Sequence, residues 1–376
     1  MKIIKIRNIL FITLIVIFLQ QNGVFAIYND SKIVTSDSFF QKEKTNYEPL
    51  INEQIRSHAE FELSDELLLS SYSGSLSYNK DTYFIDIIKA SESSVQIQIN
   101  VNNKFQKNNV LNQLINEDIT RDNITICINP TNSVWIRDYG PFFIEKNNSL
   151  SIIDFSYLAF HGRYIDDFYP TLYGLKNDIE FDFKANFALC IQGGNYMTDG
   201  QGIAMVGRDT LLINNPTKTE EEIDTILKEY LGLNTVIFLE SQIDDGTGHI
   251  DMFSKIINKD TVIVGQWDES DVNYQIVENN TQLFLDHGYS VIRIPMLRDP
   301  DEKRDTIWTY TNSLIINGTN KKIVLVPQYN ISADAIALSI YKQAMPEYEI
   351  IGINCNKIIN LLGAIHCSTI TRPLIL

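Results

Sequence analysis

The chain has 376 residues and a formal net charge of −16 at pH 7. That length buries a sizeable core in one large domain or two modest ones, and 44% hydrophobic with 21% charged residues is a globular composition rather than a disordered one. The acidic balance excludes the clustered Lys and Arg that a phosphate backbone requires, so nucleic acid is not an expected partner; it suits a cationic substrate, or simply a soluble acidic surface.

In chain order, residues 1–26 read as a secretory signal peptide. Lys2, Lys5 and Arg7 precede an apolar stretch from Ile9 to Leu19 broken only by Thr13, and Val24-Phe25-Ala26 supplies small residues for cleavage before Ile27. The stretch is shorter than the ~20 residues of a spanning helix, and an uncleaved anchor is the alternative. No later segment is apolar enough to span, so a secreted or extracytoplasmic protein without stable membrane insertion is expected. Residues 27–60 are read as an N-terminal extension and 61–376 as the folded catalytic domain.

Strict alternation at residues 95–101 predicts a strand. Ile223, Ile226, Leu227, Tyr230 and Leu231 recur at helical spacing, with Thr219 and Glu222 as a capping box and Gly232 as the stop, which predicts a helix over Glu220–Leu231. A strand follows at Thr235–Leu239. The same order then returns twice. Residues 250–257 and 261–267 read as a strand pair, 272–287 as a helix and 290–294 as a strand; 313–316, 322–326, 333–344 and 349–353 repeat the series. Upstream, Ile124–Ile128 and residues 187–191 read as closing strands of two earlier units, giving five ββαβ candidates.

A polar segment follows each closing strand: Trp135-Ile136-Arg137-Asp138, Gly193-Gly194-Asn195, His249-Ile250-Asp251, Tyr310-Thr311-Asn312 and His366-Cys367. Arranged around one axis, the five units bring these segments into one pocket. Together they offer a thiol, an imidazole and two carboxylates, a set suited to a guanidinium group: carboxylates hold the planar cation by paired hydrogen bonds, and a thiolate attacks its central carbon.

At these residues the chain resembles the agmatine deiminase family and its relative, the Porphyromonas-type peptidylarginine deiminases. The resemblance runs from about Ile124 to Pro373. It rests on Trp135-Ile136-Arg137-Asp138-Tyr139-Gly140-Pro141, Gly193-Gly194-Asn195-Tyr196-Met197-Thr198-Asp199-Gly200, Gly248-His249-Ile250-Asp251 and Ile365-His366-Cys367. It implies a five-fold pseudosymmetric α/β propeller of ββαβ units, with Cys367 as nucleophile, His249 as general acid/base, and Asp138 and Asp251 as guanidinium-binding carboxylates. It also implies Asn312 as a further active-site residue, Trp135 as an aromatic wall beside the cation, and Gly194 and Asn195 near the substrate. A guanidino compound and water are the implied partners, with no metal and no organic cofactor.

Export favours arginine in peptides over agmatine as substrate. Residues 154–164 are where the two subfamilies differ: the peptidylarginine enzymes carry a pair of arginines that grip a C-terminal carboxylate, and this chain has only Arg163. C-terminal peptidyl arginine is therefore the expected substrate, with agmatine as the alternative and an inactive binding protein on the same fold as a second. A cysteine protease built on Cys367, His249 and Asp251 lacks a use for the Trp-x-Arg-Asp segment.

Each residue also has a plainer reading. Cys367 alone in an apolar tail reads as an inert buried thiol, Asp138 as the partner of Arg137, His249 as a loop histidine and Asn312 as a turn residue. His58, His161, His287 and His366 are taken as structural or surface residues, His366 pointing away from the site within a strand. Cys127, Cys190 and Cys355 leave room for at most one disulfide if Cys367 is a working thiol. Sequons at Asn29, Asn123, Asn147, Asn279, Asn317 and Asn330 matter only in a eukaryotic secretory pathway.

Overall fold

The computed structural model describes residues 54–76, 82–157, 163–300 and 306–376, together with the backbone of a short antiparallel hairpin, Ala26–Asn29 with Lys32–Thr35. The signal segment up to Phe25 lies outside the described residues, as does His161. Among the described residues no helix is long and apolar enough to cross a membrane.

Five sheets share one plan, an antiparallel pair followed by a parallel strand reached through a helix. Three sheets show it in unbroken chain order. One contains Tyr196–Thr198, Ile203–Gly207 and Thr235–Leu239. Another runs Ser254–Asn258, Thr261–Gln266 and Ser290–Arg298, with Ile307–Thr309 added at its edge. The third has Leu314–Asn317, Lys322–Gln328 and Glu349–Asn354. In a fourth, Phe142–Lys146, Ser149–Ile153 and Glu180–Asp182 follow the plan, and Ile55–Ser57 pairs with the outer strand. Residues 55–57, expected in an N-terminal extension, are therefore part of a sheet.

The fifth sheet joins the two ends of the body. Ser64–Ser70 lies parallel to Gln96–Val101, which lies parallel to Ile124–Ile128, but its antiparallel partner is Thr369–Pro373 from the C-terminus. Leu67, Leu68 and Leu69 are all fully buried. A continuous apolar run of this kind marks a strand covered on both faces.

Local sequence dictates the elements cleanly in places. The helix Glu220–Leu231 has its capping box, with Thr219 N–H donating to Glu222 Oε2 at 2.8 Å and Glu222 N–H to Thr219 Oγ1 at 3.2 Å. It ends at Gly232, whose φ of 66° favours glycine, and a Cβ there would lie 2.1 Å from the Ile55 carbonyl oxygen.

Two expectations are corrected. Residues 187–191 are not a strand: Ala185–Ala188 is a helical turn, and Cys190 makes only a single bridge to Ser156. The closing strand of that unit is Glu180–Asp182, because the helix Tyr169–Asn177 ends at Asp178 in the left-handed region and turns the chain directly into it. The apolar run at 187–191 reflects burial of Leu189 and Ile191 under the sheet, not strand pairing. Likewise residues 250–257 divide into a 3-10 turn, Ile250–Met252, and the strand Ser254–Asn258.

That turn recurs. Ile136–Tyr139, Gly193–Asn195, Ile250–Met252 and His366–Ser368 are single helical turns, each ahead of the first strand of its unit, and they pack on one another. Asn312 holds the corresponding position before Leu314–Asn317.

Candidate active site

These five positions bring the predicted residues together. Cys367 is buried, and its Sγ lies 3.1 Å from Asn312 Nδ2 and 3.6 Å from Asp251 Oδ2. Asn312 serves both ends of the turn. Its Oδ1 accepts from Ala364 N–H at 3.1 Å and from Cys367 N–H at 3.3 Å, which leaves Nδ2 to donate toward the sulfur. Trp135 forms a wall: a Cβ at Gly363 would come within 2.6 Å of its ring and 3.1 Å of Cys367 Cβ. Glycine at 363 is what lets the indole approach the thiol.

Gly194 marks the centre. A side chain there would meet His249 Nδ1 at 2.6 Å, Asp138 Oδ1 at 2.9 Å and Asp251 Oδ2 at 3.2 Å. His249 Nδ1 and Asp138 Oδ1 are 3.5 Å apart. Three buried atoms here, Asp138 Oδ1, His249 Nδ1 and Asp251 Oδ1, have no hydrogen-bond partner among the described residues. Buried polar groups are normally satisfied, so two orphans, Asp138 Oδ1 and His249 Nδ1, meeting beside the Asp251 carboxylate mark a place for a polar ligand. The other nitrogen of His249, Nε2, contacts Gln192 Oε1. With that carbonyl accepting from Nε2–H, Nδ1 presents its lone pair.

Electrostatics match a cationic ligand. Burial raises the Asp138 carboxyl to about 6, and neighbouring Asp251 adds to the rise against the opposing pull of His249. Burial also acts to raise Asp251, but hydrogen bonding and charge from His366 hold it below the usual range. Burial drives the Cys367 thiol well above its ordinary value, and Asp251 and Asp138 reinforce that. Without an added positive charge the sulfur stays protonated.

Two sequence candidates stand apart. Asn195 points its amide at Gly207, donating to the carbonyl and accepting from the N–H, both at 3.1 Å, so it braces the turn instead of lining the centre. Arg163 is half-buried, and its side chain is engaged by Tyr157, a residue that also feels the charge of Asp138.

Sequence reasoning missed Gln192, Glu60, Lys255 and the part played by His366. His366 sits in a helical turn, not a strand, and its ring is turned inward between Asp251 and Glu60. Only the Gln192-Gly193 adjacency could have pointed to one of these. Glu60 lies 306 residues from His366, and no local pattern signals it.

Acceptors gathered beside a thiol have the chemistry a planar cation requires, and the protein is a hydrolase acting on guanidino C–N bonds. It belongs to the Porphyromonas-type peptidyl-arginine deiminase family, whose model matches residues 71–373. It is 24% identical over 292 residues to an agmatine deiminase of Pseudomonas aeruginosa, covering 67% of this chain and 77% of that protein. Among solved structures, the C. jejuni agmatine deiminase superposes with a TM-score of 0.70 at 24% identity, covering 87% of this chain and 98% of the other. The Enterococcus faecalis agmatine deiminase gives 0.74 at 20% identity over 86% and 97%.

Proposed function

We propose that the protein is a cysteine-dependent deiminase that converts a guanidino group to a ureido group and ammonia, with agmatine as its first substrate. The observation that carries the chemistry is the meeting at Gly194 of two unpartnered polar atoms, Asp138 Oδ1 and His249 Nδ1, with Asp251 Oδ2, which lies 3.6 Å from the Cys367 sulfur. A guanidinium bound between Asp138 and Asp251 donates to both carboxylates, leaves the His249 Nδ1 lone pair free, and brings the positive charge that the buried thiol lacks. His249 Nδ1 then takes the sulfur proton, and Sγ attacks the central carbon. The C–N bond breaks as His249 returns the proton to the departing amine, leaving a thiouronium on Cys367. Water, losing a proton to His249, adds to the same carbon. The C–S bond breaks and the thiol is restored with the ureido product.

The relatives named above support agmatine, and so does local charge. Arg163 faces Asp166, whose ionisation it favours, so it is not an unopposed cation for a carboxylate. An ammonium group is better received there. C-terminal peptidyl arginine, hydrolysed outside the cytoplasm, is the second reading, favoured by the signal-like N-terminus and by Arg163 itself. Comparing kcat/KM for agmatine and a peptide ending in arginine, with Arg163→Ala as control, separates them. Faster agmatine turnover that survives Arg163→Ala supports the first reading. Preferential peptide turnover lost in that variant supports the second. Ureido production by a folded Cys367→Ser protein at the wild-type rate refutes the mechanism.

A further inference from the structure

This chemistry leaves one group of buried charges unused. Behind Asp251 lies a layer of four ionisable side chains, Glu60, Arg137, Lys255 and His366, all with little exposure. His366 is at its centre, with Nδ1 2.7 Å from Asp251 Oδ2 and Nε2 2.7 Å from Glu60 Oε2. Glu60 is saturated on its far side. Its Oε2 accepts from Arg137 Nη2 at 3.0 Å, and its Oε1 accepts from Ile315 N–H at 2.9 Å and from Lys255 Nζ. Lys255 also donates to the Ser313 carbonyl at 2.8 Å. The His366 backbone is fixed as well, its N–H donating to Asn312 O at 3.1 Å and its carbonyl accepting from Arg137 Nε at 3.3 Å.

An imidazole with one N–H serves one acceptor, and an ionised carboxylate only accepts. Both carboxylates here are held ionised against their burial. Donors other than His366 favour this: Glu60 accepts from Lys255 Nζ, Arg137 Nη2 and Ile315 N–H, and His249 and Arg137 pull Asp251 down. Two contacts of 2.7 Å are both hydrogen bonds only when the ring carries hydrogen on each nitrogen.

We propose that His366 is a positioning residue for the guanidinium clamp: anchored on Glu60, its doubly protonated ring pins Asp251 Oδ2 beside Cys367 and keeps that carboxylate free of a proton. The inference rests on the deiminase reading. Asp251 Oδ2 is the oxygen that borders both the thiol, at 3.6 Å, and the centre marked by Gly194. Asp138 and Asp251 repel each other across that centre, and two close carboxylates with no added cation share a proton. A protonated Asp251 loses an acceptor for the substrate. The positive ring behind it prevents this and fixes its rotation.

The test is a pair of amide substitutions. Asparagine places its NH2 near the position of Nδ1 and keeps the bond to Asp251; glutamine reaches the position of Nε2 and keeps the bond to Glu60. His366→Gln is expected to lose about 100-fold in kcat/KM, chiefly through KM, whereas His366→Asn stays within about tenfold of the wild type. Binding of agmatine to Cys367→Ser should weaken with His366→Gln by the same factor as KM rises. Equal activities for the two variants, or losses that follow thermal stability alone, overturn the proposal. Should either variant fail to fold, the wild type answers directly: 15N-histidine spectra at pH 7 should show hydrogen on both ring nitrogens of His366, and one bare nitrogen overturns it. A wild type that turns over no guanidino compound refutes the deiminase reading instead, while the ring spectrum still decides the state of His366.

Discussion

At the scale of single residues, the centre is defined as much by a missing side chain as by those present. A methyl at Gly194 would fall within 2.6 Å of His249 Nδ1 and 2.9 Å of Asp138 Oδ1, in the centre proposed for the guanidinium. Gly194→Ala should therefore lose at least about 100-fold in kcat/KM, because the methyl crowds the centre and pushes the His249 ring and the Asp138 carboxylate from their places. Normal turnover by that variant would place the substrate elsewhere. The Asp138 carboxyl adds a pH signature. Burial lifts it to about 6, so as pH falls through that value the group takes up a proton and stops accepting from guanidinium. We expect kcat/KM to fall on the acid side of about pH 6. The corresponding limb of kcat lies lower, because bound cation favours the anion in the complex. A profile flat from pH 8 to below pH 5 contradicts the role given to Asp138. Cys367, His249, Asp138, Asp251, Asn312, Trp135 and Gly194 were all legible in the sequence, because each sits in a short motif. Gln192, Glu60 and Lys255 were not, since their roles exist only through contacts between distant segments.

At the scale of elements, legibility followed the source of each element's order. The helix Glu220–Leu231 and the strand Thr235–Leu239 match expectation to the residue, because cap, apolar spacing and stop all lie within the segment. Residues 187–191 misled because burial without pairing produces the same apolar run as a strand. Asp154 shows a tie between elements that sequence hides. It follows the strand Ser149–Ile153, and its Oδ2 accepts from Thr171 Oγ1 at 2.5 Å in the helix Tyr169–Asn177. Its Oδ1 has no partner among the described residues, and burial raises the carboxyl from 3.8 to about 8. A raised folded value means the folded state binds the proton more tightly than the unfolded one. Stability from this group is complete below about pH 4 and is lost as pH rises through about 8. Asp154→Asn should remove that slope, so the variant's melting temperature should exceed the wild type's at pH 8 to 9 and lose its advantage toward pH 4. Parallel melting curves for the two proteins across this range would refute the assignment.

At the scale of the whole molecule, the Cys367 thiol lies beside the segment that joins the two ends of the fold. His366–Ser368 leads directly into Thr369–Pro373, which pairs with Ser64–Ser70 in register from Thr369 opposite Leu69 to Pro373 opposite Ser64. The first sheet is therefore incomplete until the last residues of the chain are in place, and the same event sets Cys367 against Asn312 and Asp251. Removing residues 369–376 leaves every candidate catalytic side chain in the chain but strips one edge from the buried strand carrying Leu67, Leu68 and Leu69. A ladder of five residues, the buried Ile370 and the bond from Leu374 N–H to Leu63 O at 2.8 Å are lost together. Such a loss amounts to several kcal/mol against a total stability of roughly 5–15 kcal/mol. The truncated protein should show no cooperative thermal transition and should aggregate on size-exclusion chromatography, with no ureido product formed. Removing only Ile375 and Leu376, the latter almost fully exposed, should leave melting and turnover unchanged. A cooperative transition within a few degrees of the full chain in the longer truncation would mean that the first sheet holds without its C-terminal strand. The placement of Cys367 would then rest on the Asn312 bridge and on the bonds that hold the neighbouring His366.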